Sequence, residues 1–138
     1  MSDKCGGELI GTGGTFTSPG FPSNYPISVQ CDWLITVPRG FEVELIFSFF
    51  RLEHDVTCRY DFVEVKEVKR NTGKQFGKYC GSISPLQLTF PSNSILVRFY
   101  SDDMITASGF QAVWRAKIGT VYTAGALRRA STSFRRPS

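Results

Sequence analysis

The alternation of apolar and polar residues in segment 41–53 constrains the fold of this chain more than any other feature of its sequence. In this segment, FEVELIFSFFRLE, the odd-numbered positions from Phe41 to Phe49 are apolar, whereas Glu42 and Glu44 occupy the opposite parity. A period of two residues is typical of a strand with one buried face. We therefore predict a β-strand here whose odd-numbered side chains enter the core.

Shorter runs of the same kind recur along the chain, with turn-forming residues between them. The clearest are CDWLITV (31–37), RYDFVEV (59–65), SILVRFY (94–100) and GFQAVWRA (109–116), and weaker ones lie at 14–18 and 74–80. Gly- and Pro-rich turns such as SPGFPSNYP (18–26) and SPLQ (84–87) separate them. Short strands with frequent turns predict an all-β fold, an antiparallel β-sandwich of jelly-roll type.

Four cysteines, at positions 5, 31, 58 and 80, predict two disulfides. An even number of well-separated cysteines in a short chain is typical of extracellular domains, and the spacing does not match a zinc site. Among three possible connectivities we favour Cys5–Cys31 with Cys58–Cys80. Each bridge then closes a loop of about 23–27 residues, which stabilises by about 3–4 kcal/mol in the chain-entropy model. Four free thiols in an intracellular protein are the alternative.

Charge is unevenly distributed along the chain. The 16 basic and 12 acidic residues give a net charge of +4, and four arginines in the last twelve residues account for that excess. The neutral remainder argues against a nucleic-acid groove. No apolar run approaches the roughly 20 residues of a membrane span. We interpret 1–4 as an N-terminal extension without a secretory signal, 5–117 as the domain, excised from a longer chain, and 118–138 as a flexible basic tail.

Two carboxylates interrupt the strand pattern. Glu53 ends one apolar face and Asp61 begins the next. A carboxylate at the rim of a core loses hydration and needs a cation or several hydrogen bonds. Calcium, which binds six to eight oxygen ligands, is one candidate cation. A salt bridge to Arg51 or Arg59 is the other.

A third acidic position, Asp102, directly follows the strand predicted at 94–100. It falls on the polar parity of that strand. Alternation alone therefore does not place Asp102 beside the other two carboxylates.

Several segments together resemble the CUB domain family. They are Cys5-Gly6-Gly7, SPGFPSNYP, Cys31-Asp32-Trp33-Leu34-Ile35, Leu52-Glu53, Cys58-Arg59-Tyr60-Asp61, Cys80-Gly81, Ser101-Asp102 and Gly109-Phe110. They follow the order and spacing of the family over residues 5–116. The resemblance implies an antiparallel jelly-roll sandwich, the disulfide pairing favoured above, and a secreted or extracellular module of a larger protein.

The resemblance also implies a calcium site at one end of the sandwich. Many CUB domains hold Ca²⁺ with one Glu and two Asp, which correspond here to Glu53, Asp61 and Asp102, and with main-chain oxygen near Met104. The segment Met104-Ile105 stands where other members often have Asn or Ser, which predicts a weaker site. Tyr25 matches a family tyrosine beside the site. Its hydroxyl either bonds to a ligand carboxylate, or its ring only packs at the rim.

We therefore predict a non-catalytic module whose calcium-ordered carboxylates, together with Tyr25, bind Lys or Arg side chains of an extracellular protein partner. A calcium-independent adhesion or glycan-binding domain on the same fold is the alternative. For that alternative the basic residues of a predicted hairpin loop matter more: Lys66, Lys69, Arg70 and Lys74. An enzyme with Glu53 and Asp61 as paired acid and base is a third class, which we disfavour because no nucleophile motif accompanies His54.

Overall fold

Nine β-strands form the regular structure of residues 5–68 and 75–119, the part of the chain that this computed structural model describes. They are β1 (Gly7–Ile10), β2 (Gly13–Thr17), β3 (Gln30–Thr36), β4 (Phe41–Arg51), β5 (Phe62–Glu67), β6 (Gln75–Tyr79), β7 (Leu86–Phe90), β8 (Ser94–Tyr100) and β9 (Gly109–Ile118). Within these ranges no helix has the length and apolarity that a membrane crossing needs. The interpretations of 1–4, of Lys69, Arg70 and Lys74, and of 120–138 lie outside the described residues.

The strands form two sheets that pack face to face. One sheet has the order β1-β3-β8-β5-β6 and the other the order β2-β9-β4-β7. Neighbouring strands are antiparallel except for β1 and β3, which pair in parallel. The predicted antiparallel β-sandwich is thus confirmed, and the structure contains disulfides Cys5–Cys31 and Cys58–Cys80, the pairing favoured from the sequence.

Strand β4 departs from simple alternation near Ser48. Its register with β9 shifts between Phe47 and Phe49, which marks a β-bulge. Before the shift Leu45 and Phe47 are fully buried, whereas beyond it Phe50 is buried and Phe49 only partly so. The prediction that Phe49 shares the buried face is therefore wrong, because the extra residue of a bulge exchanges the two faces of a strand.

An aromatic cluster between the sheets forms the core below one end of the sandwich. Its centre is Phe110 on β9, surrounded by rings of both sheets with centroids 5.4–6.3 Å away: Phe16, Trp33, Phe47, Phe50 and Phe99. The ring of Tyr25 continues this cluster, because its centroid lies 5.0 Å from that of Phe99 in an edge-to-face arrangement. The cluster therefore supports the end of the sandwich where the predicted calcium residues lie.

Candidate metal centre

Three loops meet at this end of the sandwich: 18–29 before β3, 52–61 between β4 and β5, and 101–108 between β8 and β9. Main-chain hydrogen bonds join the first loop to the third, from Tyr25 N to the Ala107 carbonyl (3.0 Å) and from Ser28 N to the Asp102 carbonyl (2.8 Å). Side chains described below connect the second loop to both. Residues that are distant in sequence thereby form one surface.

The structure brings Glu53, Asp61 and Asp102 together at the centre of these loops. One carboxylate oxygen from each residue lies within 4.8 Å of those of the other two. Asp61 is fully buried, whereas Glu53 and Asp102 are partly exposed. Asp102 reaches the group through the loop that follows β8 and not through the buried face of that strand. This is why alternation alone does not locate it.

Hydrogen bonds hold both oxygens of the Asp61 carboxylate. The Tyr25 hydroxyl donates to Oδ2 (2.6 Å), and the Asp102 amide donates to Oδ1 (2.9 Å). The same Tyr25 oxygen accepts a hydrogen bond from the Glu53 amide at 3.2 Å. Tyr25 is only 1% exposed. Of the two roles predicted for this residue, its hydroxyl does bond to a carboxylate of the site, and it does so from beneath the surface.

Two of the three carboxylates, those of Glu53 and Asp61, lie in an environment that disfavours their charge. Burial, and then the negative charges of Asp61 and Asp102, raise the pKa of Glu53. Burial also raises the pKa of Asp61, although hydrogen bonds from Tyr25 and from the Asp102 amide act in the opposite direction. The pKa of Tyr25 is raised as well, chiefly by burial, so its hydroxyl remains a donor.

Arginine does not neutralise this cluster within the described residues. The guanidinium of Arg59 instead binds Asp55 through two hydrogen bonds, Nε to Oδ2 (3.1 Å) and Nη2 to Oδ1 (3.0 Å). Residues 5–68 and 75–119 contain no ion pair between a Lys or Arg and any of the three carboxylates. The salt-bridge alternative from the sequence is therefore not supported.

One oxygen of the cluster lacks any partner. Oε1 of Glu53 is buried and has no hydrogen bond in the described structure. A buried carboxylate oxygen without a donor, beside two further carboxylates, is an unfavourable arrangement that a hard cation with oxygen ligands would relieve. The residues present thus fit a calcium ion.

Met104 contacts the site through its main-chain amide. Its amide donates to Asp102 Oδ1 at 3.2 Å, and its side chain is 70% exposed. This bond orients the Asp102 carboxylate. The predicted role of main-chain oxygen at Met104 as a ligand stays a prediction.

Two residues that support the loops have no role assigned from the sequence, although one of them, Ser101, belongs to the Ser101-Asp102 segment that resembles CUB domains. Asp55 caps its own loop, since Oδ2 accepts hydrogen bonds from the amides of Thr57 (3.2 Å) and Arg59 (2.9 Å). An Asp within a short loop is a recognisable signal for such a turn, because its carboxylate can accept a hydrogen bond from the main-chain amide two residues later. Ser101 is fully buried, and its hydroxyl donates to the Pro26 carbonyl at 2.8 Å and accepts from the Val29 amide at 3.1 Å. A single Ser at the end of a strand carries no such signal.

Comparison with known proteins assigns the architecture. The profile of the CUB domain matches residues 5–114, most of the chain. The chain belongs to the CUB domain family. It is 41% identical to human procollagen C-endopeptidase enhancer 2 over 138 aligned residues, which cover 97% of the chain and 33% of that protein. It is also 41% identical to mouse tolloid-like protein 2 over 108 residues, covering 78% of the chain and 11% of the relative.

Solved CUB domains share the fold. The chain superposes on the CUB2 domain of MASP-1 bound to Ca²⁺ with a TM-score of 0.72 and 34% identity, covering 82% of the chain and 100% of that domain. On the extracellular region of zebrafish Gpr126/Adgrg6 it reaches a TM-score of 0.74 at 34% identity, covering 83% of the chain and 15% of that region. Among the relatives compared by sequence, the chain spans a third of the length of human procollagen C-endopeptidase enhancer 2 and 11% of the length of mouse tolloid-like protein 2.

Proposed function

We propose that this CUB domain is a non-catalytic extracellular module that binds Ca²⁺ through Glu53, Asp61 and Asp102, with main-chain oxygen near Met104. The observation that carries this proposal is the buried, unpartnered Oε1 of Glu53 beside two further carboxylates within 4.8 Å. The calcium-bound MASP-1 domain, which shares this fold, supports it. When bound, the ion would supply the positive charge that no Lys or Arg provides in the described residues.

We further propose that Glu53 and Asp102, the two residues of the cluster that are partly exposed, receive a Lys or Arg side chain of a protein partner. Asp61 is fully buried and Tyr25 is 1% exposed, so we assign these two residues the role of orienting the site from below. A carboxylate fixed in position forms a stronger charge-assisted hydrogen bond than a mobile one, because less side-chain entropy is lost on binding. Partner binding should therefore require calcium and weaken as salt increases.

The names of the relatives suggest which partner to test first. Three of them, two from human and one from mouse, are called procollagen C-endopeptidase enhancers, and each aligns with 97% of this chain. We therefore propose that the whole protein acts outside the cell, and that procollagen and its C-endopeptidase are the first partners to examine.

Surface plasmon resonance on immobilised procollagen tests this proposal. We expect binding of the full chain in millimolar calcium, loss of binding in chelator, and loss after acetylation of procollagen lysines. Asp102→Asn should weaken binding, since it removes one negative charge from the exposed edge of the site. Glu8→Gln removes the same charge from an exposed position on β1 and serves as the control.

Binding that survives both chelator and lysine acetylation would contradict the proposal. Heparin binding in chelator would then favour the adhesion or glycan-binding alternative. Of the basic residues named for that alternative, the described structure includes only Lys66, whose ammonium lies 3.9 Å from Glu64 Oε1.

A further inference from the structure

Large apolar side chains are exposed around the acidic cluster. Val56 is 90% exposed, Met104 70%, Ile105 59% and Ile27 48%, and each lies in one of the three loops that form the candidate metal centre. We call these four residues the apolar rim. Tyr60, within the second loop, and Tyr100, at the end of β8, are also exposed. Exposed apolar side chains concentrated at one end of a domain are typical of an interaction surface.

The rim is built on ordered backbone. The Ser28 amide donates to the Asp102 carbonyl at 2.8 Å, which places Ile27 beside the loop of Met104 and Ile105. Val56 lies in the turn capped by Asp55. Hydrogen bonds therefore order the backbone of the loops that carry these apolar side chains, whereas the side chains themselves remain exposed to solvent.

The charge of the loops indicates what kind of partner covers this rim. The segments 52–61 and 101–105 contain five carboxylates and one arginine, so their net charge is −4, and a divalent ion would leave −2: Glu53, Asp55, Asp61, Asp102 and Asp103 against Arg59. A surface that stays acidic attracts a basic side chain and repels anionic lipid headgroups. Charge complementarity thus favours a protein partner over a membrane.

We propose that the apolar rim and the acidic cluster form one composite surface, which binds a Lys or Arg flanked by apolar residues in the partner sequence. This inference rests on the proposed function and adds sequence selectivity to it. Apolar contacts around a charged pair exclude water, and they thereby strengthen the electrostatic attraction between the two charges. The partner's flanking side chains would cover the rim.

An open pocket at the edge of the rim offers room for one flanking side chain. It has a volume of about 430 Å³ and is lined by Ser28, Val29, Gln30, Tyr100, Asp102 and Asp103. One face of the Tyr100 ring stacks on Phe62, with centroids 5.3 Å apart. The pocket therefore combines an aromatic wall with the acidic edge of the candidate metal centre.

Three capped synthetic peptides test the inference in saturating calcium: Gly-Leu-Lys-Leu-Gly, Gly-Ser-Lys-Ser-Gly and Gly-Leu-Gln-Leu-Gly. Amide chemical-shift titration of the full chain gives an affinity for each. We expect the Leu-flanked lysine to bind roughly fivefold to tenfold more tightly than the Ser-flanked one, because it buries apolar surface against the rim. The glutamine peptide should bind more weakly than the Leu-flanked lysine.

Substitutions in the apolar rim test whether it causes the preference for Leu-flanked lysine. Val56→Ser with Ile105→Ser should abolish the preference for Leu-flanked lysine and leave calcium affinity unchanged. Ile10→Ser, at a residue that is 72% exposed on β1, is the matched control and should keep the preference. Equal binding of the two lysine peptides to the unmodified chain would overturn the rim inference alone. Failure of both lysine peptides to bind a calcium-loaded chain would overturn it together with the proposed Lys/Arg recognition.

A membrane is the competing occupant of the rim. Sedimentation with phosphatidylserine-containing vesicles in calcium tests it, and we expect no binding. Vesicle binding that is lost in the Val56→Ser, Ile105→Ser variant would overturn the inference in favour of a lipid surface.

Discussion

Two features of Glu53 predict that its substitution has opposite effects on stability in the calcium-free and the calcium-bound protein. Its carboxylate is close to Asp61 and Asp102, and its Oε1 has no donor among the residues that the structure describes. In chelator, Glu53→Gln should raise the melting temperature, because the amide removes like-charge repulsion and donates hydrogen bonds. In millimolar calcium the same variant should melt below the unmodified chain, since one ligand charge is lost. Differential scanning calorimetry in both buffers measures this reversal, and a variant that melts lower in both would contradict it.

Tyr25 connects two of the three carboxylate positions through a single hydroxyl. Tyr25→Phe keeps the ring against Phe99 but removes the hydrogen bond to Asp61 and the acceptor for the Glu53 amide. We expect a loss of about 1–3 kcal/mol in the free energy of unfolding, since the buried Asp61 carboxylate and the partly buried Glu53 amide each lose a partner. Calcium affinity should fall as well, because Asp61 is less firmly oriented.

Urea unfolding and calorimetric calcium titration measure the two effects of Tyr25→Phe. Tyr79→Phe is the control, because Tyr79 also has its pKa raised by burial but lies on β6, outside the three loops. An unchanged calcium affinity in Tyr25→Phe would contradict the proposed role of the hydroxyl in orienting the calcium ligands.

At the scale of elements, alternation predicts most strands but not where a strand changes face. The runs at 31–37 and 94–100 correspond to β3 and β8, whose alternate residues are buried. In β4 the bulge near Ser48 exchanges the faces, and this depends on pairing with β9, which is distant in sequence. The prediction places a turn at 84–87, yet β7 begins at Leu86. Short edge strands carry weak local signals, because tertiary pairing determines them.

The candidate site shows the same division between local and non-local information. Strand patterns mark Glu53 and Asp61 as acidic residues at the ends of apolar faces. Asp102 joins them through the resemblance to CUB domains, since its own strand places it on the polar parity. The hydrogen bonds of Ser101 that hold the loop depend on contacts with Pro26 and Val29, far earlier in the chain.

Glu44 on β4 is an acidic residue on the polar parity that is nevertheless only 3% exposed. It accepts hydrogen bonds from Arg115 and from Gln87, and the Arg115 bond is the main cause that lowers its pKa from the ordinary 4.5. A carboxylate whose pKa is lowered by folding stabilises the fold above its unfolded pKa. That contribution is lost as pH falls through the folded value.

Glu44→Gln should therefore destabilise the chain at pH 7, by about 1 kcal/mol given that the Arg115 side chain is exposed. The difference between the two proteins should shrink as pH falls below 4.5. Urea unfolding in chelator at pH 7 and pH 3 measures it, with Glu42→Gln on the same strand as control. A difference that persists undiminished at pH 3 would contradict the assigned charge interaction.

For the whole molecule, the two disulfides differ in what they stabilise. Cys58–Cys80 tethers the loop that carries Glu53 and Asp61, whereas Cys5–Cys31 joins the start of the domain to β3. Replacing either pair by alanines should lower the free energy of unfolding by about 3 kcal/mol. Only the Cys58→Ala, Cys80→Ala variant should also lose calcium affinity. Chemical unfolding and calcium titration of both variants test this, and equal calcium affinities would contradict the tethering role.

A calcium titration of the chelator-treated full chain by isothermal calorimetry, with thermal unfolding followed in parallel, tests the proposed metal site most directly. We predict one ion bound per chain, with a dissociation constant of about 10⁻⁴–10⁻³ M, as in extracellular calcium modules. Mass action then raises the melting temperature as calcium increases. Asp61→Asn should abolish both effects. Absence of heat and of any thermal shift at millimolar calcium in the unmodified chain would contradict the calcium site and the partner recognition built on it.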